Sequence, residues 1–519
     1  MESEKKLILD VNESPKEIGQ WIILAVQHLL AMFVACITVP LIVFNSYEVG
    51  QGFANAGAKV SYVGFNGQSF ASALIAPTLV AAGVGTLIYI LLTKMKSPVF
   101  LASSFAYIAP MCAAISLGSV PLMKDATGAL VAASEGAAVV AAYGNIWALP
   151  IGMALVGLVY VAVALVVKFA GVAWLNKLLP TIVIGPVIMV IGLGLSGSAI
   201  SNLTTGSGNQ MSYNLIAILC GLIAMAVTAI CAHYGKKTVS LIPFVLGMCA
   251  GYVAAALFTA IGYAAKVDYL KIVDFSPVVN NWSNVTVKSF IAIPDFLFLA
   301  TKNPVAVEPT HLGTIALLFI PVSLVTICEH IGDHKNLSGI IGRDLLEEPG
   351  LSRTLMGDGI ATAASGIICG AANTTYGENV AVVGVTKIAS VKVIILACIM
   401  TILLAFLSPI MTIVQTIPAC VTGGVSLVLY GFIASSGVKM LINEKVDFGN
   451  TKNIFVASAI LVAGIGGLAI SFAAGNTTIT ITSTAVAMIL GIIMNLILKD
   501  KKPAAPAAVE EKAEEKSAE

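Results

Sequence analysis

The chain has 519 residues, of which 58% are hydrophobic and 11% charged, with 47 glycines and a formal net charge of +1. Soluble domains are about half apolar and about a quarter charged, so this composition is that of an integral membrane protein. A net charge near zero and no visible basic patch exclude a nucleic-acid binder.

Residues 1–20 are polar and read as a cytoplasmic N-terminal segment. The apolar run that starts at Trp21 is long enough to span, so it reads as a membrane helix and not as a cleavable signal peptide. A hydrocarbon core about 30 Å thick takes about 20 helical residues. Apolar runs bounded by charges and by Gly, Asn or Pro clusters predict fourteen spans, at 21–44, 71–93, 99–117, 146–167, 178–196, 212–232, 238–263, 311–332, 354–372, 374–390, 391–414, 421–440, 453–473 and 479–498. The third and tenth are poor helices, broken by Pro, Gly or polar residues. Between spans three and four, residues 118–145 are an Ala- and Gly-rich outer loop with room for a short helix. The longest outer loop is 264–310, with sequon-like triplets at Asn281 and Asn284 that carry little weight. The Ala/Pro-rich, charged tail 499–519 is expected to be disordered and cytoplasmic.

With the N-terminus inside, this count places 22 of the 28 Lys and Arg residues on the cytoplasmic side, as the positive-inside rule requires. Both termini are then cytoplasmic. Fourteen divides into seven plus seven, and an odd repeat re-enters the membrane inverted, an arrangement found in secondary transporters. The expected organisation is a first repeat over 21–263 and a second over 311–498, joined by the outer loop 264–310. Two echoes fall in corresponding spans: Gln27-His28 against Glu329-His330, and "SSFA" from Ser103 against "TTYG" from Thr374.

Non-helical backbone at membrane depth is tolerated only where it is buried in protein or lines a cavity. The broken third and tenth spans therefore read as an extended piece followed by a half-helix, whose N-terminus leaves free N–H groups near the midplane. Gly377 allows close approach of the backbone to a ligand, and Glu378 stands at the start of the second half-helix. A charge at the bilayer centre costs about 2.5–3.5 kcal/mol even on the lenient scale, so Glu378 marks a site. In span eight, Glu329 and Asp333 are four apart and share one helix face, where they repel and can hold a proton between them. Asp333 lies near the expected cytoplasmic end of that span, beside His334 and Lys335.

Other features read as structural. His28 is a mid-span hydrogen-bonding residue. "GLGLSG" at 192–197 matches G-x-G-x-x-G but lies in a membrane run with no preceding strand. No phosphate-binding G-x-x-x-x-G-K-[ST] is present, and the nine cysteines sit in or beside apolar runs without metal or disulfide spacing. No cofactor or metal is implied. An intramembrane enzyme would need a nucleophile and base, for which Cys328 beside Glu329 is the sole candidate; an anion carrier would want cations near the half-helix ends, where this chain places acids.

"NTTYGENVAVVGVTK", "EHIGD", "SSFAYI", "QHLLAMF" and "GGVSLVLYG" together resemble the nucleobase–ascorbate transporter family, closest to its bacterial uracil permease branch, over about residues 15–500. The resemblance implies an all-helical fold of fourteen spans, with a core domain from spans 1–4 and 8–11 and a gate domain from spans 5–7 and 12–14. It implies uracil and protons as the transported pair, with xanthine or another nucleobase as the alternative cargo. It assigns substrate binding to Glu329, Glu378, Gly377, Phe105, Tyr376, Ser104 and Tyr430, proton coupling to Glu329 and Asp333, and supporting roles to His28 and Asn379. It further implies a plasma-membrane location and permits a homodimer. Some uracil permeases of the family carry His where this chain has Asp333.

Overall fold

The computed structural model describes residues 7–44, 61–63, 74–134, 137–204, 213–294, 296, 305–474 and 477–498. The expected disordered tail, the first six residues and parts of two outer loops (45–60 with 64–73, and 297–304) lie outside the described residues.

In chain order the first half comprises α1 (Ile18–Phe44), β1 (Ser61–Val63), α2 (Ile75–Leu92), β2 (Leu101–Ser103), α3 (Ile108–Ser116), β3 (Val120–Lys124), β4 (Leu130–Ala132), β5 (Ala141–Tyr143), α4 (Ala148–Ala170), α5 (Ala173–Leu178), α6 (Thr181–Gly194), α7 (Ser196–Thr204), α8 (Leu215–Tyr234) and α9 (Pro243–Ala265). The second half comprises α10 (Ser276–Ser283), α11 (Pro309–Ile341), α12 (Leu351–Ile368), β6 (Asn373–Thr375), α13 (Gly377–Thr386), α14 (Val391–Ala405), α15 (Ser408–Gln415), α16 (Ala419–Asn443), α17 (Thr451–Ile465), β7 (Ile470–Ala474), β8 (Thr477–Ile481) and α18 (Ser483–Ile497). Among the described residues, eight helices are long and apolar enough to cross a membrane by length and composition. These are α1, α2, α4, α6 with its continuation α7, α8, α9, α11 and α16; α14, α17 and α18 are shorter apolar helices. Helices dominate because lipid offers no partner for a backbone N–H or C=O, so each span must satisfy its own.

Several elements differ from the sequence expectation. The segment 118–145 contributes the three strands β3, β4 and β5, which with β1 form one sheet in the order β1, β5, β3, β4. The reversal between β3 and β4 is set by Asp125, whose Oδ1 accepts from the N–H groups of Thr127 and Ala129 at 2.8 and 2.9 Å, an Asx-type turn that apolar periodicity does not register. The run expected as one span over 391–414 is two helices, α14 and α15, with Pro at the start of α15. The ends of the expected spans 453–473 and 479–498 pair as the antiparallel hairpin β7–β8, where the β-branched "TTITI" favours strand. Helix α11 runs to Ile341, well past the expected end at 332. Asp333 and His334 are therefore buried inside a helix and not solvated at its end.

Packing sorts the helices into two groups. In the first, α12 lies along α4 and α2, α14 along α2 and α1, and α11 along α4. In the second, α16 lies along α6, α7 and α8, α9 along α8, and α17 along α18 and α6. The groups meet where α11 touches α6 and α18, and where α1 touches α9. Small residues permit the closest crossings: a Cβ on Gly424 of α16 would lie 2.0 Å from the Gly221 carbonyl of α8, so only glycine fits there. On the surface, Lys96 pairs with Glu348 and holds its carboxyl below the usual range.

Candidate functional site

Two short strands cross inside the first helix group. β2 and β6 pair antiparallel, Leu101 opposite Thr375 and Ser103 opposite Asn373. The pairing extends outward through Ser104 N–H to Ala372 O (2.6 Å) and Tyr376 N–H to Phe100 O (3.1 Å). All three residues of each strand are buried. Extended backbone is costly in such a place unless its polar groups are met, and the two strands meet each other's. Side chains satisfy further backbone groups. Leu101 N–H donates to Thr86 Oγ1 at 2.9 Å, Thr362 Oγ1 donates to Asn373 O at 3.0 Å, and Asn373 Nδ2 donates to Ala81 O at 3.0 Å. Each strand leads into a short helix, β2 into α3 and β6 into α13.

A cavity of about 440 Å³ opens beside this crossing. Phe105 borders it after β2; Thr374, Thr375, Tyr376, Gly377 and Glu378 border it from β6 and the start of α13. Glu329, Asp333, Asn336 and Ile340 border it from α11, and Ile188, Phe432, Ile433, Ser435, Ser436 and Lys439 from α6 and α16. The cavity thus lies between the two helix groups. Its lining from α11 recurs at i, i+4, i+7 and i+11, one stripe of a single helix face.

Three carboxylates share this space. Asp333 Oδ2 accepts a hydrogen bond from Thr375 Oγ1 at 2.6 Å, which ties α11 to the end of β6. A Cβ on Gly377 would meet Asp333 Oδ1 at 3.5 Å, so the glycine leaves the first turn of α13 uncovered toward that carboxylate. Glu378 is buried in the same turn, where the N-terminal end of the helix dipole favours an anion. Glu329 Oε2 and Glu378 Oε1 are buried without a hydrogen-bond partner among the described residues. A buried polar atom left unpaired costs about 1–3 kcal/mol, and both atoms belong to residues that line the cavity. Chemically, the arrangement offers acceptors at its acidic end to a ligand that brings N–H or O–H donors.

The remaining predicted residues stand one layer back. The Tyr430 ring meets Phe105 edge-on with centroids 5.4 Å apart, without itself lining the cavity. Ser104 is buried beside Phe105 and does not line it either. Asn379 Nδ2 donates to His28 O at 3.0 Å and lies 3.2 Å from His28 Nδ1, so α1 buttresses the turn that carries Glu378. Tyr376, which does border the cavity, donates from Oη to Ser103 O at 3.1 Å, a further tie between the two strands.

Residues missed by the sequence reading divide by kind. Asn336 lies seven after Glu329, and its helical spacing was a usable signal. Thr375 lies inside the "TTYG" stretch already singled out, whereas Ser435, Ser436, Lys387 and Lys439 carry no local signal; only the tertiary fold brings them to the cavity. On the opposite face of α11, His330 Nδ1 lies 2.8 Å from Asp358 Oδ2 of α12, and His334 Nε2 lies 2.6 Å from Tyr89 Oη of α2. These buried contacts lock α11 to its neighbours and leave its other face to the cavity.

The model of a permease family matches residues 19–472 of the chain. The chain belongs to the nucleobase–ascorbate transporter family. This permease is 38% identical over 506 residues to the uracil permease of Bacillus caldolyticus, an alignment that covers 98% of each chain. It is 35% identical over 502 residues to the uracil permease of Bacillus subtilis (strain 168), covering 96% of this chain and 97% of the relative. Among solved structures, the murine solute carrier 26 family member A9 anion transporter in its inward-facing state matches with a TM-score of 0.60 at 9% identity, over 93% of this chain and 68% of that one. At that identity the match concerns the fold alone. The permease is a multi-pass membrane transporter and not an enzyme.

Proposed function

We propose that this permease imports uracil together with protons. The observation that carries the reading is the pair of buried carboxylate oxygens, Glu329 Oε2 and Glu378 Oε1, that have no hydrogen-bond partner among the described residues and belong to residues of one cavity. Uracil is a planar ring whose N–H donors alternate with C=O acceptors. Glu329 and Glu378 would accept from the ring N–H groups, while backbone N–H groups at Phe105 and Gly377 would donate to its carbonyls. Tyr376 and Ser104 shape the strand crossing behind the ring, and Tyr430 supports Phe105 from the other helix group. The relatives' uracil permease names favour this cargo over xanthine, and the acidic character of the site favours it over the anions carried by the fold neighbour.

Protons fit the same geometry. Three carboxylates share a cavity between helices, and a bound proton cancels one of their charges during crossing. Asp333, held by Thr375 next to Gly377, and Glu329, one turn away, are the proton-coupling residues of the proposal. We read the two helix groups as core and gate, and the paired strand–helix units β2–α3 and β6–α13 as the broken spans three and ten of a fourteen-span fold. Its repeats would cover 21–263 and 311–498, inverted in the plasma membrane with both termini cytoplasmic. The core would carry the cavity across the gate, and the cavity end lined by exposed Ser435 and Lys439 would be the cytoplasmic mouth.

The test is direct. Purified full-length protein is titrated with uracil and with xanthine, and uptake of labelled uracil into proteoliposomes is measured with and without an inward proton gradient. Uracil binding with gradient-stimulated uptake is the expected result. Preference for xanthine would replace the cargo and keep the site; uptake indifferent to the gradient would remove the proton.

A further inference from the structure

The cavity is larger than its proposed cargo. At about 440 Å³ it falls in the roughly 300–1,000 Å³ range of sites for drug-sized ligands, whereas a single pyrimidine ring occupies a small part of it. Its wall also carries both signs of charge. Glu329 and Glu378 supply its acceptors unpaired among the described residues, Asp333 stands one turn along α11 and is already bonded to Thr375, and Lys387 and Lys439 supply its cations, with Asn336, Ser435 and Ser436 also on the wall. Glu378 and Lys387 stand at opposite ends of α13. Nine residues of helical rise separate them by about 14 Å, a span that a base, a pentose and a phosphate ester cover once the lysine side chains reach inward.

The two lysines are available and, in one case, fixed. Neither Lys387 nor Lys439 forms an ion pair among the described residues. Lys335, the third lysine near this end, is engaged with Glu444 at 3.4 Å. The position of Lys387 is set by the N-terminal segment: Ile8 N–H donates to its carbonyl at 2.8 Å, and Ala389 N–H donates to Leu9 O at 2.9 Å. Lys387 ends α13 in the left-handed conformation, with φ of 58°, which turns the chain out of the helix at the mouth of the cavity. Two ammonium groups with neighbouring hydroxyl and amide donors form a set that recognises a phosphate dianion.

We propose that the same cavity binds a pyrimidine nucleoside 5′-monophosphate from the lysine-lined side, base toward the carboxylates and phosphate between Lys387 and Lys439, and that this occupancy blocks uracil transport. The proposal rests on the nucleobase reading given above. Attachment of the pentose at the ring nitrogen removes one N–H donor, so the base half of a nucleotide grips the acidic end less well than free uracil. The phosphate contacts offset that loss. A nucleotide is what a free base becomes after a phosphoribosyl group is transferred to it, so the arrangement lets the product of that reaction class restrain further entry of base.

The experiment uses purified full-length protein and three probes: uracil, uridine and uridine 5′-monophosphate. Displacement of labelled uracil is read alongside direct calorimetric titration of each probe, for wild type and for the K387Q/K439Q double variant. The nucleotide is expected to displace uracil from wild type, less effectively as salt is raised. In the double variant its competition should weaken at least tenfold while the uracil Kd stays within twofold, and uridine should not distinguish the two proteins. Failure of the nucleotide to bind, or equal displacement in the double variant, overturns the proposal. Absence of uracil binding would instead overturn the nucleobase reading. The calorimetric titration of the nucleotide then still decides this one, because binding that depends on the lysines supports it and no binding ends it.

Discussion

Glu378→Gln isolates the claim that a buried carboxylate is kept for its ligand. The substitution conserves volume and removes charge in the first turn of α13, where Glu378 Oε1 has no hydrogen-bond partner among the described residues. In the empty protein no hydrogen bond to that oxygen is lost, and removing a buried charge relieves a desolvation cost that opposes the favourable helix-dipole interaction. The melting temperature should hold or rise. With uracil present, a hydrogen bond from a ring N–H to a charged acceptor is worth about 1.5–3 kcal/mol, or about 10- to 150-fold in Kd. The amide can still accept through its carbonyl oxygen, a neutral bond worth about 0.5–1.5 kcal/mol, so a loss near the lower figure is expected. Calorimetric titration of uracil against wild type and variant, paired with thermal unfolding of both, reads the two effects separately. A variant that binds uracil within twofold of wild type while staying folded would refute the assignment. One that unfolds at markedly lower temperature would show that the carboxylate serves the scaffold instead.

Thr375→Val keeps shape but withdraws the 2.6 Å hydrogen bond to the buried Asp333; it should destabilise the protein by about 1–3 kcal/mol. Combining it with Asp333→Asn should recover part of that loss, and additive melting shifts would argue against the pairing. Asp333→Asn alone should retain uracil over xanthine in binding, yet flatten the rise of proteoliposome uptake that accompanies external acidification. An unaltered pH profile would place Asp333 outside the coupling path. Gly424→Ala would drive a methyl to within 2.0 Å of the Gly221 carbonyl. Overpacking costs typically about 1–3 kcal/mol, so a lower melting temperature is expected with the uracil Kd of the folded fraction unchanged.

Much of the site was legible because the membrane makes polarity expensive. In a chain with 11% charged residues, a carboxylate, amides and hydroxyls inside apolar runs stand out. Those outliers pointed to Glu329, Asp333 and Glu378, which line one cavity together with Gly377; the roles of His28 and Asn379, which bond to each other behind it, came from the family resemblance. The break in the tenth apolar run likewise announced extended backbone, and Gly377 marked where helix α13 begins. Apolar runs located most long helices for the same reason, since length and hydropathy are what a bilayer selects.

The sequence alone could not say what meets what. Pairing of β2 with β6 joins residues more than 250 positions apart, and nothing in either tripeptide names its partner. Only the folded structure puts Thr375 on Asp333, turns His330 and His334 away toward Asp358 and Tyr89, and moves Tyr430 behind Phe105. It also decides that Asp333 is buried, because α11 continues past the apolar run through contacts with neighbouring helices. The lysines at the cavity mouth, ordinary end-of-helix cations in one dimension, acquire a common role by position. Local chemistry determined which residues are too costly to be idle; tertiary packing, which sets their neighbours and exposure, decided what they face.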